Sequence, residues 1–448
     1  MFNGHDAVFK LRCSAGVQVK AYLPKTKVQG EINDSGISDS PELVMSCVMP
    51  DTCIAIELNH RIGGIPGALD QNGRRVDNID PTVYFQTALL YTNAFGRRRV
   101  RVTTLALRAT TSVPEVFKAA NFDALAVFMT RQAISDLSAR GEEGSLHNAR
   151  QAIADRCVNI LVSYRRNTDV STQPMGQLIL PEALQLLPLF CLSLRKNRMF
   201  RSSVAQNSGS TCKPSPSADE RAYHLFYGSN VSLAMAMLCV HPSLYRLTDM
   251  PADAGELVSL EPAVLGQPDR HAALNNHFEA DELVKASCQP YIQLPPSTKP
   301  SVACLDDDSI YLLDDGFRFF VFIGRDVSMD ARTEVVSFDD LDAGPNSVAG
   351  KRSVTVSTSS DFGARLWRIM AQLRKAYMSS AVEKCNRPVY PPVVVVIGRG
   401  GYGFRSTIDD SLLEDEMIES LVEDTSSDEK SYVDFLIDLH RRIKNATM

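Results

Sequence analysis

The sequence predicts a multidomain α+β protein: a β-sandwich, then an all-helical domain, then an α/β domain that closes on a C-terminal helix. Three patterns predict it. Short β-branched, alternating stretches broken by Gly/Asn/Pro clusters occupy residues 1–110. Apolar stripes at helical spacing occupy 111–247. From 301 onward, strand-length apolar runs are interleaved with further helical stripes.

In the first part, AVFKLRCSAGVQVKAYL and CIAIEL read as strands, and GGIPGALDQNG reads as a turn cluster. In RRRVRVTTLAL the period of two puts Val100, Val102 and Ala106 on one face, expected to be buried. Arg97, Arg99, Arg101, Thr103, Leu105 and Leu107 fall on the other, an exposed face of mixed basic and apolar character. Helices start at Ser112–Pro114, with Val116, Ala120, Ala124, Val127 and Phe128 in one stripe. A second stripe from Leu146 aligns Ala149, Ile153, Cys157, Ile160, Leu161 and Tyr164. The Ser/Pro/Gly-rich segment from Ser202 reads as a loop inserted between helices.

Residues 248–300 carry scattered prolines, end in QLPPSTKP and suit an irregular connector. The domain over 301–448 opens with IYLLDD and FRFFVFIG, joined by a turn at Asp314–Gly316. A helix over Phe362–Tyr377 aligns Phe362, Leu366, Ile369, Leu373 and Tyr377, with Trp367 beside the stripe. The strand PPVVVVIG and an acidic stretch then lead to the terminal helix. There Ser431 and Asp434 form a capping pair, and Tyr432, Leu436, Leu439 and Ile443 make the docking stripe. Arg441, Arg442 and Lys444 suit the negative end of the helix dipole.

A chain of 448 residues calls for two to four domains. Its 44% hydrophobic content and mean hydropathy of -0.11 describe a soluble globular protein. No apolar run approaches a membrane span, and MFNGHDAVFK lacks the apolar core of a secretion signal. Ten cysteines without a C-x-x-C pair and eight dispersed histidines argue against zinc or dithiol chemistry. Charge is uneven. Before residue 248, 27 Lys and Arg stand against 20 Asp and Glu; after it, 20 stand against 33. That asymmetry suits orientation at an anionic surface.

Catalytic patterns fail on inspection. Gly398, Gly400 and Gly403 in IGRGGYGF match G-x-G-x-x-G after an apolar strand. A dinucleotide site needs a helix opening at that loop and a further strand carrying an acid, and about 45 residues remain. There is no G-x-S-x-G and no Walker sequence. The runs Asp306–Asp308 and Asp314–Asp315 lack calcium-loop spacing, and His440 reads as a half-buried histidine rather than a ligand. No catalytic residue, cofactor site or metal site is assigned. The cluster of Arg97, Arg98, Arg99 and Arg101 is different. Guanidinium groups bond carboxylates or lipid phosphates in bidentate fashion, and Leu105 and Leu107 add apolar contact on the same face. Such a surface suits short acidic-hydrophobic peptides. Nucleic acid fits poorly, because aromatic interleaving is missing and the chain is acidic overall.

The closing run SYVDFLIDLHRRI resembles the last helix of the cargo-selecting subunit of the COPII vesicle coat, the Sec-twenty-four family. ALLYT with GRRRVRVTTLAL resembles the end of that family's β-sandwich. LPEALQLLPLF, DERAY and HPSLYRL resemble its helical domain, and SIYLLDDGFRFFVFIGRDVS its gelsolin-like domain. The resemblance leaves gaps around 202–218, 249–290 and 338–360. It implies a non-enzymatic inner-coat subunit, cytoplasmic and peripheral on ER exit sites and vesicles, that binds cytosolic export signals of membrane cargo for ER-to-Golgi transport. The implied partners are those signals, the anionic ER membrane surface and a Sec-twenty-three-type subunit. The family's zinc finger and trunk are not in this chain, so its structural zinc and main subunit contact would lie outside it. The family's sandwich also takes strands from before the zinc finger, so an exposed sheet edge is expected here. One cargo pocket lies near the strand that RRRVRVTTLAL resembles, which implies Arg97, Arg99, Arg101, Leu105 and Leu107 as peptide contacts. The sister subunit, which activates the Sar GTPase, is the alternative, with Arg318 or Arg325 as its catalytic arginine; a dinucleotide enzyme using the three glycines is the other.

Overall fold

The computed structural model describes residues 4–14, 17–23, 42–48, 52–60, 82–110, 112–138, 145–168, 176–201, 216–230, 233–258, 291–339, 353–374, 377–378, 384–385, 391–398, 408–426 and 429–447. The Ser-rich insertion expected from Ser202, Gly400, Gly403 and most of the 248–300 connector lie outside them. The chain forms two compact units. One comprises Met1–Phe200, Ala218–Leu233 and Asp434–Met448; the other comprises Arg201–Ser217 and Ala234–Val433.

The first unit begins with the expected β-sandwich. Strands β1 (Gly4–Cys13), β2 (Val17–Leu23), β3 (Glu42–Val48), β4 (Ala55–His60), β5 (Thr82–Thr92) and β6 (Arg98–Arg108) build it. The larger sheet has the order β3-β1-β5-β6, antiparallel throughout, and β2 pairs with β4 in a second ladder. Alternation along β1 sends Ala7, Phe9 and Leu11 inward. Phe9 and Leu11 meet Tyr22, Val19, Leu43, Ile54, Ile56, Phe85 and Leu89 in the sandwich core. Tyr22 is 1% exposed, packs edge-on against Phe9 and accepts the Leu11 N–H at 3.3 Å, so its buried hydroxyl is satisfied.

This unit continues with the helices α1 (Val113–Lys118), α2 (Phe122–Leu137), α3 (Leu146–Asn167), α4 (Leu187–Lys196) and α5 (Ala218–Asn230). The stripe expected to run on from Val116 to Phe128 is divided in two. Asn121 takes an extended conformation and its side chain accepts the Ala124 N–H at 2.9 Å, starting a new helix. Ser145 caps α3 in the same way, and Ala149, Ile153, Cys157 and Leu161 are buried along it as their spacing predicts. Arg131 on α2, 1% exposed, donates to the Cys53 carbonyl beside β4 and ties helix to sandwich. Burial lowers the pKa of that guanidinium.

The second unit is a mixed sheet covered on both faces, in keeping with the expected gelsolin-like domain. Its first helix, α6 (Leu233–Val240), stops before Pro242, and β7 (Ser243–Arg246) follows. HPSLYRL, expected to belong to the helical domain, is instead a strand, because Leu244 and Tyr245 alternate onto the two apolar faces of the sheet. With β8 (Ser297–Thr298), β9 (Ile310–Asp314), β10 (Phe319–Ile323) and β11 (Val393–Ile397), the sheet order is β8-β7-β9-β10-β11. Only β11 runs parallel to its neighbour β10. Every residue of β9 and β10 is buried, because both faces are covered. On one face Leu312, Phe319, Val321 and Ile323 pack against Leu366, Ile369, Met370 and Leu373 of the helix Asp361–Arg374. On the other, Tyr311, Leu313, Phe320 and Phe322 meet Met417, in the helix Ile408–Glu419, and Leu421 just beyond it. The helix expected to reach Tyr377 ends at Arg374, and Tyr377 pairs with Cys385 in a short ladder.

At the end of β10 the backbones meet closely. A Cβ on Gly324 would lie 2.1 Å from the Asp307 carbonyl oxygen, while Gly324 N–H donates to the Ser309 carbonyl. Gly324→Ala is therefore expected to destabilise this unit by about 2 kcal/mol or more, seen as a lower denaturant midpoint. An unchanged midpoint would show that the approach can relax at no cost.

The terminal helix Tyr432–Thr447 lies in the first unit from Asp434 onward. Its buried stripe is Phe435, Leu439 and Ile443, while Tyr432 and Leu436 are half-buried. The docking face is thus turned by one position from the expected one, and Phe435 replaces Leu436 as its anchor. Arg195 of α4 lies over the Phe435 ring at 5.8 Å, and Arg442 pairs with Asp155 of α3.

Candidate functional site

The strand β6 is joined to β5 by a tight hairpin that Asn93 builds. The Asn93 side-chain oxygen accepts the N–H groups of Phe95 and Arg97 at 3.1 and 3.0 Å. Its carbonyl accepts the Gly96 N–H, and its own N–H donates to the Arg97 carbonyl. Gly96 has φ +75°, a conformation glycine adopts without strain. The turn fixes the register, so Arg99 lies opposite Tyr91, Arg101 opposite Leu89, Leu105 opposite Phe85 and Leu107 opposite Val83.

That register corrects the expected faces. Directly paired residues share a side of the sheet. Phe85 and Leu89 belong to the sandwich core, and Val83 is 5% exposed. Arg97, Arg99, Arg101, Leu105 and Leu107 therefore extend the core-facing side of the sheet, whereas Val100, Val102 and Ala106 lie on the outer side. The expected burial of Val100 and Val102 also fails: they are 63% and 55% exposed, and all of β6 is exposed. The cause is width. Among the described residues, β2 and β4 are the strands that stand across from the four-stranded sheet, and β6 is its edge strand, beyond their cover.

The face is a row about 34 Å long at the usual rise per strand residue. Cations occupy its first half and leucines its second, with Leu105 and Leu107 53% and 48% exposed. The arginines are not equivalent. Arg98, on the outer side, donates to the Asp6 carboxylate at 2.8 Å and to Thr92 Oγ1 at 3.0 Å. Asp6 sits at the bulge of β1 with φ +50°. Among the described residues, the side chains of Arg97, Arg99 and Arg101 have no hydrogen-bond or ion-pair partner. Tyr91, which flanks Arg99, lies over Gly4, where a Cβ would come within 2.6 Å of the ring. Asn93 and Asp6, and the parts played by Gly96 and Tyr91, escaped the sequence reading, although N-x-x-G before the arginines is itself a turn signal.

Among the described residues, nothing favours the competing sites. Gly398 N–H donates to the Ile323 carbonyl, so this glycine continues the β10–β11 pairing. Arg318 pairs with Glu416 at 2.8 Å and Asp315 at 3.4 Å and lies over the Phe320 ring. Arg325 pairs with Asp307 at 2.7 Å. Both arginines are engaged by acids of their own unit. Among the described residues, no group of three His, Cys, Asp or Glu side chains could hold a metal ion, and no helix is long and apolar enough to cross a membrane.

Comparison with known proteins decides the family. Residues 4–110 match the Sec23/Sec24 beta-sandwich domain, and residues 121–238 match the Sec23/Sec24 helical domain, together just over half of the chain. The chain belongs to the Sec23/Sec24 family. Along its length it is similar to Sec24 members: it is 25% identical over 442 residues to the mouse protein transport protein Sec24A, covering 98% of this chain and 32% of that protein. The Arabidopsis thaliana protein SEC24 C is 24% identical over 98% of this chain and 31% of its own length, and the fission yeast protein sec24 is 27% identical over 82% and 33%. The crystal structure of human COPII-coat protein Sec24c aligns with a TM-score of 0.65 at 21% identity, over 100% of this chain and 46% of that one. The match supports the order of sandwich, helical domain and mixed-sheet domain. The chain spans about a third of the length of these curated Sec24 relatives.

Proposed function

We infer that the chain is the cargo-reading portion of a COPII inner-coat subunit, which binds acidic-apolar export signals on the exposed face of β6. The observation that carries this reading is a row of unpartnered arginines leading into exposed leucines on one sheet face, in a chain of Sec24 kinship. A short export peptide has carboxylates for Arg97, Arg99 and Arg101 and leucine or methionine side chains for Leu105 and Leu107. Extended chains also find an antiparallel template in the edge of β6. The protein acts without catalysis, peripherally at the ER, with a Sec23-type subunit as its coat partner. Zinc has no place in the proposed site.

The test is titration of the chain with a peptide of two or three Glu/Asp and two Leu, followed by amide chemical shifts in β6. Millimolar affinity, about 4 kcal/mol, is expected, weakening as salt rises. Shifts that ignore β6 would overturn the assignment. The GTPase-activating alternative is disfavoured by the ion pairs of Arg318 and Arg325. Adding the chain to a Sar-type GTPase is expected to leave its hydrolysis rate unchanged, and acceleration would reinstate that alternative.

A further inference from the structure

Phe95, at the tip of the β5–β6 hairpin, is 76% exposed, the largest value among the exposed large hydrophobic residues described. Nothing about the turn requires an aromatic residue there. The turn is held by the Asn93 side chain and by Gly96, and the Phe95 side chain contributes none of its hydrogen bonds. Those bonds make the tip rigid, so little side-chain or loop entropy is lost when the ring is buried. Immediately behind the ring stand Arg97, Arg98, Arg99 and Arg101, about 7–14 Å back along the strand for Arg97 to Arg99.

We propose that this hairpin tip is a membrane anchor: the Phe95 ring enters the interface of a bilayer carrying anionic lipids, and Arg97 and Arg99 contact the headgroup phosphates. Charge complementarity selects this occupant. The chain as a whole is at -6, yet the tip carries four cations in five positions, and among the described residues one acid, Asp6, pairs with one of them, Arg98. Shape agrees: one protruding ring with a cationic collar fits a fluid interface, whereas a protein partner needs a packed patch of about 800 Å² per side. Each arginine near an anionic surface and one buried aromatic ring give weak, reversible, salt-sensitive attachment. The inference rests on the coat reading only for bringing a membrane close, and it adds a geometric consequence. With Phe95 in the lipid, β6 rises away from the bilayer, with the arginines nearest the surface and Leu105 and Leu107 furthest from it.

The test uses the full chain with phosphatidylserine-containing and pure phosphatidylcholine vesicles at low salt. Phe95→Ala should leave thermal stability unchanged, because the ring is outside both cores, and should lower partitioning onto the anionic vesicles about tenfold. Phe95→Trp should show blue-shifted fluorescence and quenching by brominated lipid beyond that of the wild type, whose single tryptophan, Trp367, donates its Nε1–H to the Val356 carbonyl. Wild-type binding that Phe95→Ala leaves unchanged, with no added quenching of Phe95→Trp, would overturn the proposal and place the membrane contact elsewhere. So would an absence of wild-type binding to anionic vesicles. Either result leaves the cargo reading standing, because peptide shifts at β6 are measured without lipid. Loss of those shifts, with the added quenching of the Phe95→Trp variant retained, would sink the cargo reading alone.

Discussion

Removing residues 431–448 is expected to unfold or severely loosen the first unit. Phe435, Leu439 and Ile443 are 3%, 2% and 3% exposed, and each such side chain contributes about 1.5–3 kcal/mol by burial. Their loss amounts to about 5–9 kcal/mol, comparable with the whole stability of an ordinary domain. The truncation also uncovers apolar surface on the helices they pack against, frees Arg195 from the Phe435 ring and leaves Asp155 without Arg442. Calorimetry should show a large fall in the transition of this unit. Phe435→Ala alone should cost about 3–5 kcal/mol. If the truncated chain melts at the original temperature, the terminal helix is an appendage and its assignment to this unit is wrong.

The second large effect is on binding. Arg99 and Arg101 lie opposite Tyr91 and Leu89 on the core-facing side of the sheet, where β6 is exposed, and have no partners among the described residues. Replacing both by glutamate turns attraction for an acidic peptide into repulsion at the same two positions. Charge-assisted contacts of this kind are worth about 1.5–3 kcal/mol each, so a site of millimolar affinity should become undetectable. The fold should not suffer, since neither side chain is buried or holds a hydrogen bond among the described residues. Arg98→Glu gives the contrast. It should put two carboxylates together at the Asp6 bulge and disturb the start of β1, with a smaller effect on peptide binding.

Much of this architecture is legible in the residues because local pattern and tertiary burial agree. The stripe Ala149, Ile153, Cys157, Leu161 fixes α3, and FRFFVFIG and PPVVVVIG read as strands because both their faces are apolar. The failures have specific physical origins. Period two separates the sides of β6 but does not say which one faces inward. That is decided by Phe85 and Val83 on the neighbouring strand, through a register that the Asn93 turn sets. Nor can alternation show that β6 outreaches the β2–β4 pair, which depends on how many strands stand opposite. At Asn121 a capping side chain wins over a continuous apolar stripe. In HPSLYRL the tertiary setting of two sheet faces wins over proximity to helices. The arginine row itself is visible from composition alone. Its reach from the lipid-facing tip to Leu107 requires the hairpin.

The central claim is that the core-side face of β6 reads acidic-apolar peptides. Its most direct test is a paired titration of wild-type chain and the Arg99→Glu, Arg101→Glu variant with one such peptide, monitored by amide shifts. The account predicts saturating shifts along β6 in the wild type and none in the variant, with matching circular dichroism and melting temperature. Equal binding by both proteins would contradict it, and so would a variant that fails to fold, since that would make these arginines part of the sandwich.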